Sequence, residues 1–531
     1  MSVDPDDLCW DLPYPSRRQP VLARNVVATS QPLAVQAGIA ALERGGNAVD
    51  AALAAAITLV VVEPTNNGLG SDAFAIVSTA DGLHAINGSG RAPAGVDVDR
   101  LTREKKMPLL GWDAVTVPGA VSCWVELSRR FGRLPFADLF ERAIHYAHDG
   151  YAVSPVTARL WATVAPLYSD FAPFSEAFLP GGRAPHAGET FRIPALGASL
   201  AEVATTTGES FYGGRLAEAM AAHAAAEGAA LRVDDLAGHT NEDVETLSVE
   251  HGDWRLHELP PNGQGIAALI ALGILDHTPI AELDVDSADS FHLQIEAMKL
   301  AFADVHAHVG DPDGMFVAAG DLLDPDYLAV RAAAIDMRQA REHPVGNLAR
   351  GDTVYLTTAD ADGMMVSFIQ SNYFSFGSGI VVPGTGISLQ NRGNGFSTHD
   401  GHPNRVAPGR RPFHTIIPAF VTRNGAPLMS FGVMGGAMQP QGHLQVLVRM
   451  ADGGMNPQAA LDAPRWQVIE ALDVALEEGV PDAVAAELES RGHRVKRLGS
   501  EWFGGGQTVL RRGDGYVAAS DPRKDGLAAG F

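Results

Sequence analysis

The stretch GDTVYLTTADADG (351–363) marks the point where the chain changes character. Before it, DMRQAREHPVGNLARGD (336–352) mixes charge, proline and glycine without apolar periodicity, as an exposed connector does. After it, residues 354–359, a turn at 360–363 and residues 364–370 read as two strands. A threonine that opens a strand after Gly-Asp is, taken alone, an ordinary polar strand residue. If the Asp352–Thr353 bond breaks, the freed α-amino group, with an unperturbed pKa of about 8, lies beside the residue's own Oγ and can take its proton. Thr353 then serves as nucleophile and base together. A connector that ends where a strand begins is the geometry this requires.

Working outward, LAVQAGIAALERGG and NAVDAALAAAITLVVV (33–62) follow helical periodicity, and their small residues predict tight helix packing. Pro64 ends this segment, TNNGLGSD (65–72) is a polar loop, and FAIVSTADGLHAING (74–88) predicts a hairpin turning at Asp81 and Gly82. Further helices are predicted around 119–131, 134–149, 213–226, 287–308 and 439–451, with a last hairpin turning at Asp514 and Gly515. Helices early and strands late predict a layered α/β protein. The acidic LDVDSADS (283–290) reads as a helix cap rather than a metal site, and no His/Cys/Asp spacing of metal-site type stands out. No metal and no cofactor are therefore expected.

Composition narrows the function classes. The 531 residues are 46% hydrophobic and 19% charged, ordinary for a soluble globular protein. The net charge of -24 repels phosphate backbones and argues against nucleic acid, though a few local arginines can still bind a small anion. Two cysteines, Cys9 and Cys123, make no disulfide framework. The N-terminus MSVDPDDLCWDLPYPSRRQP has no apolar signal region, and the longest apolar run, 51–62, is too short to span a bilayer. The expectation is a cytoplasmic protein without a membrane partner.

FGVMGGAMQPQGH (431–443) is the second candidate element. Gly435 and Gly436 lie between an apolar strand and a helix beginning near Gln439, where backbone N–H groups can stabilise an oxyanion. A plain tight turn is the alternative. Dinucleotide binding is disfavoured, because no GxGxxG is present and no βαβ unit surrounds the loop.

Together these segments resemble the gamma-glutamyltransferase family. The resemblance rests on GGNAVDAALAAA (45–56), TNNGLGSDAF (65–74), TVPGAV (116–121), LPPNGQG (259–265), EAMKLAFAD (296–304), GDTVYLTTADADG (351–363), SFGSGIVVPGTGISLQNRGNGFS (375–397), RRPFHTIIPAF (410–420), GVMGGAMQPQG (432–442) and DAPRW (462–466), in the family's order. It implies a four-layer α-β-β-α sandwich of the N-terminal-nucleophile type, made as one precursor. Self-cleavage between Asp352 and Thr353 would leave fragments 1–352 and 353–531 as one intertwined domain, a heterodimer that could itself pair. It also implies an acyl-enzyme on Thr353, an oxyanion hole at Gly435 and Gly436, and a hydroxyl at Ser371 that orients the nucleophile.

The departures from the family concern substrate. The arginine that holds an α-carboxylate in the glutamyl enzymes is replaced by Ser89, with Arg91 two residues on. The paired serines become His414 and Thr415, and the ammonium-binding asparagine, glutamine and aspartate become Tyr373, Arg392 and Gly395. An ammonium without a carboxylate partner is poorly held. The replacements look more like the branch containing oxamate amidohydrolase, so the expected substrate is a small acid amide such as oxamate, held by Arg392 or Arg91. Arg392 could instead be a solvated surface residue, and His414 a substrate contact, a general acid or a packed core histidine. Glutathione hydrolase or transpeptidase activity, and a non-catalytic binding protein on the same scaffold, are the competing readings.

Overall fold

The computed structural model describes residues 17–343 and 351–531. Cys9, the N-terminal residues 1–16 and the connector residues 344–350 lie outside the described residues.

Two seven-stranded sheets organise this mixed α/β fold. In the first, Asp352–Ala359 runs antiparallel to Met365–Tyr373 on one side and to Val26–Thr29 on the other. Asp72–Thr79 and Gly82–Asn87, the hairpin expected at Asp81 and Gly82, extend it beyond Met365–Tyr373. The strand that carries Thr353 is therefore central, with both neighbours in place. Its register shifts between Asp352 and Val354, which leaves Thr353 out of the regular pairing at the strand's start. The second sheet centres on Ala426–Met434, flanked by Ala419–Arg423 and Gly505–Arg512.

Between the sheets, Phe74, Ile76, Tyr355 and Ile369 of the first meet Phe420, Met434, Val509 and Tyr516 of the second in one apolar cluster. The outer face of the first sheet is covered by helices Pro32–Glu43 and Ala48–Val62. Every residue of Ala48–Val62 is buried, and Asn47 and Asp50 close its N-terminus with a reciprocal capping box. The alanines there let helices and sheet approach closely, so the run too short for a membrane is a core helix. Helices Gly265–Asp276, Ala288–His308 and Met438–Ala451 cover the second sheet.

The predicted helices recur with one change: 134–149 divides into a tight turn, Phe136–Phe140, and a helix, Glu141–Asp149. Phe136 and Phe140 meet edge to face at 4.9 Å, a packing contact that fixes the tight turn against the helix. LDVDSADS does serve as a cap: Ser287 accepts a hydrogen bond from the Ser290 amide. No helix among the described residues is long and apolar enough to cross a membrane.

Candidate active site

Three residues on adjacent strands make a hydrogen-bond chain at the start of Asp352–Ala359. Thr353 Oγ1 donates to Ser371 Oγ at 3.2 Å, and Ser371 Oγ donates to the carbonyl oxygen of Asp352 at 2.7 Å. The amide of Tyr373 also donates to Ser371 Oγ, at 2.7 Å. One proton given and two accepted satisfy that hydroxyl completely. Thr353 and Ser371 are both buried, so the chain from the threonine hydroxyl to the carbonyl before it is shielded from water. Gln439, in the first turn of Met438–Ala451, donates Nε2 to Thr353 Oγ1 at 3.3 Å while its Oε1 accepts from the Ile417 amide. Sequence reading did not single out Gln439. It stood within GVMGGAMQPQG, but nothing about a glutamine in a helix's first turn distinguishes a partner of the threonine from a core residue.

The turn joining Ala426–Met434 to Met438–Ala451 has Gly435 at φ +126° and Gly436 at φ +58°, conformations that favour glycine. The carbonyl of Gly436 is held by Gln264 Nε2 at 2.8 Å. Among the described residues, neither glycine amide donates a hydrogen bond, so both are free for an incoming oxygen. The turn lies against the chain just before Thr353: a Cβ on Gly351 would come within 3.3 Å of Gly436 Cα and 2.7 Å of the Tyr373 carbonyl oxygen.

Beyond Thr353, Arg392 lies in the short turn Arg392–Gly395 and is buried rather than a surface residue. Its Nη1 donates to Thr415 Oγ1 at 2.6 Å, and its guanidinium stacks over the Tyr373 ring at 5.0 Å. Nε and Nη2 have no partner among the described residues. Burial pushes its pKa down to about 10, against the fields of Asp72 and Tyr373. Burial also raises the Asp72 carboxyl to about 7, opposed by Arg392 and by the amides of Gly119 and Gly90.

Two expected substrate contacts are placed otherwise. His414 is fully buried between Phe74, at 4.7 Å between rings, and Asp72 Oδ2, 3.1 Å from its Nε2. Its Nδ1 accepts from the Ile416 amide, so the proton sits on Nε2, and burial keeps the ring neutral. It is a packed core histidine. Arg91 is engaged by Glu242 at 2.8 Å, the Gly409 carbonyl at 2.9 Å and Asp311 at 3.5 Å, away from the cavity described next. Sequence spacing cannot show that an edge-strand acid claims it.

A cavity of about 620 Å³ opens over Gln264, Tyr373, Gly395, Phe413, Thr415 and Ala437. Among the described residues no aspartate or glutamate lines it. Arg392 lies one layer behind Thr415 and Tyr373, not in direct contact with the cavity. Elsewhere, His292, Glu296 and His493 come within 4.8 Å of one another, a grouping the sequence reading did not foresee. A buried ammonium already occupies it: Lys299 Nζ lies 2.7 Å from Glu296 Oε1, and the two histidines hydrogen-bond each other at 2.8 Å. Glu296 also accepts from the Arg341 amide, and His292 contacts the Asp336 carbonyl, so the cluster fastens the start of the connector.

The sequence pattern of gamma-glutamyltranspeptidase matches residues 34–531. The chain belongs to the gamma-glutamyltranspeptidase family. It is therefore an enzyme, an amide hydrolase of that family. It is 38% identical to the oxamate amidohydrolase proenzyme of Klebsiella pneumoniae, over 94% of this chain and 97% of that one. It is 35% identical to the glutathione hydrolase-like YwrD proenzyme of Bacillus subtilis, over 96% of this chain and 98% of that one. Among solved structures, the cephalosporin acylase from Bacillus halodurans superposes with a TM-score of 0.95 at 45% identity, covering 100% of this chain and 99% of the other. Relatives of this gamma-glutamyltranspeptidase family member thus include acylases, an amidohydrolase and glutathione hydrolases.

Proposed function

We propose that the chain is a self-processing threonine amidohydrolase that cleaves an amide whose acyl part carries a carboxylate, oxamate being the smallest such substrate. The observation that carries this reading is the Thr353–Ser371–Asp352 chain of 3.2 and 2.7 Å. In the intact chain, Thr353 Oγ adds to the Asp352 carbonyl carbon while Ser371 polarises its oxygen. The peptide C–N bond breaks, leaving an ester on Oγ and a free α-amino group, and water then releases fragment 1–352. In the resulting 353–531 fragment the α-amino group takes the Oγ proton as Oγ attacks a substrate amide. The free amides of Gly435 and Gly436 stabilise the oxyanion, and Gln439 orients Oγ.

Arg392 supports an anionic acyl group. A buried guanidinium with two unpartnered nitrogens is costly unless a ligand satisfies it, and Thr415, which it touches, lines the cavity. The cavity without acids disfavours an α-ammonium and therefore glutathione as the preferred substrate. The two sheets with helices outside them are read as the four-layer α-β-β-α sandwich, with strands of both fragments in each sheet.

Denaturing electrophoresis tests the reading. Purified wild-type protein should run as fragments of 352 and 179 residues, and Thr353→Ala as one intact, inactive chain. Cleavage persisting in that variant overturns the assignment, since alanine has no hydroxyl to add to the carbonyl.

A further inference from the structure

Oxamate would fill only a small part of the cavity over Thr415. Its volume of about 620 Å³ lies in the range of roughly 300–1,000 Å³ typical of sites for much larger ligands. The lining changes in character from base to mouth. Gln264, Thr415 and Ala437 form a buried base beside Gly436. Met107, Val305, Val309 and Phe396, all buried, and the half-buried Phe413 make an apolar wall. The exposed Lys105 and Lys106 stand at the mouth.

Those two lysines are unusual in this chain. It has 63 acidic residues and only 39 basic ones, and only Lys105, Lys106, Lys299, Lys496 and Lys524 are lysines. Two of them are adjacent at one cavity. Exposed cations such as Arg44, Arg100 and Arg183 have carboxylate partners. Among the described residues, no carboxylate lies within ion-pair distance of Lys105 or Lys106; the neighbouring Asp97 and Glu104 pair with Arg100 instead. Helix Val98–Glu104 ends on Lys105 at φ +54°, a left-handed conformation uncommon outside glycine. His306 and His402 are held by their surroundings. Burial holds His306 at about 4, while His402 is fixed by the His306 carbonyl at Nε2 and the Asn404 amide at Nδ1.

We infer that the wall and mouth of this cavity, beyond the base that faces the acyl half, receive the amine half of the substrate, and that this amine carries an apolar body and a terminal carboxylate met by Lys105 and Lys106. The inference rests on the amidohydrolase reading. The acyl half stays bonded to Thr353 beside Gly436. When Oγ attacks the amide carbonyl, the C–N bond breaks, and the nitrogen leaves with the proton that Oγ gave up to the α-amino group. Water then cleaves the acyl ester, releasing the acid and restoring Oγ–H. The amine must depart through the open end, where the apolar wall covers its body and the lysines balance its charge. A leaving group of this kind, unlike ammonia, uses the whole cavity.

Calorimetric titration of the purified, processed enzyme with N-acetyl-phenylalanine and with the neutral N-acetyl-phenethylamine tests this without relying on the acyl preference. The wild type should bind the carboxylate ligand more tightly. Lys105→Ala/Lys106→Ala should lose about five- to thirtyfold of that affinity, the worth of two exposed ion pairs, and bind the neutral ligand as the wild type does. Lys105→Arg/Lys106→Arg should retain the preference. Equal binding of the two ligands by the wild type, or equal losses for both in the alanine variant, overturns the inference. Failure of the amidohydrolase reading would appear separately, as a chain that does not split at Thr353.

Discussion

Ser371 has one proton to give, and in the intact chain it gives it to the Asp352 carbonyl while accepting from Thr353 and from the Tyr373 amide. Removing that hydroxyl takes away both the hydrogen bond to the carbonyl and the partner of Thr353, the proposed nucleophile. Ser371→Ala should therefore leave mostly unprocessed chain, with cleavage at least tenfold slower, and Ser371→Thr should restore it. A time course of fragment appearance on gels is the measurement, and equal rates in all three proteins would refute the role. Arg392 makes a second residue-scale case. Its Nη1 holds Thr415, and its other nitrogens are unpaired. It acts on the cavity through Thr415, and a hydrogen bond from a charged group is worth roughly 1.5–3 kcal/mol, so Arg392→Met, which releases Thr415 and removes the charge behind it, should lower kcat/KM for oxamate about ten- to a hundredfold. The order Gly-Asp-Thr before a strand made Thr353 legible in the sequence, and family motifs pointed to Ser371. Arg91 misled, because its partner Glu242 is 151 residues away and only the folded sheet brings them together.

At the scale of elements, the proposed mechanism places the oxyanion at the strand–turn–helix from Ala426 to Ala451. Gly435 and Gly436 both take positive φ, which directs their amides away from the regular pairing of the strand they follow. Gly436→Pro removes one donor and is incompatible with φ +58°. Loss of one such donor costs about 2.7–4 kcal/mol of barrier, so kcat in the processed variant should fall about a hundred- to a thousandfold. Turnover near wild type in folded, processed protein would remove these amides from the mechanism. The glycine pair was legible as a turn and, through the family resemblance, as a proposed oxyanion site, but its neighbour in space was not. Gly351 packs against Gly436, a contact between two elements distant in sequence.

Across the whole molecule, a buried ionic cluster near the C-terminal end should contribute to stability that acid removes. Asp521 is fully buried, which by itself would raise its pKa, but Arg465 and Arg523, with the amides of Arg523 and Gly506, hold it at about 2. Because the folded pKa lies below the unfolded value, this stabilisation is present above about pH 4 and is lost as the pH falls towards 2. The shift corresponds to roughly 2 kcal/mol. Asp521→Asn should unfold at lower urea concentration than wild type at pH 7, with the difference shrinking between pH 4 and pH 2. A gap independent of pH would rule out the charge of Asp521 as its source.

The sequence by itself determined the alternation of elements, the family and the two-glycine turn, because each of these is local: a change of periodicity, a turn, an ordered run of motifs. It also determined that the strand after the connector would open on a hydroxyl. Only the tertiary structure decided which polar residues meet. It set His414 against Asp72 and Phe74 as a core residue, spent Arg91 on Glu242, buried Arg392 behind Thr415, and brought Gln439 to Thr353. The reason is physical: a buried polar group must find its partner wherever the fold supplies one, and two sheets packed face to face supply partners from any part of the chain.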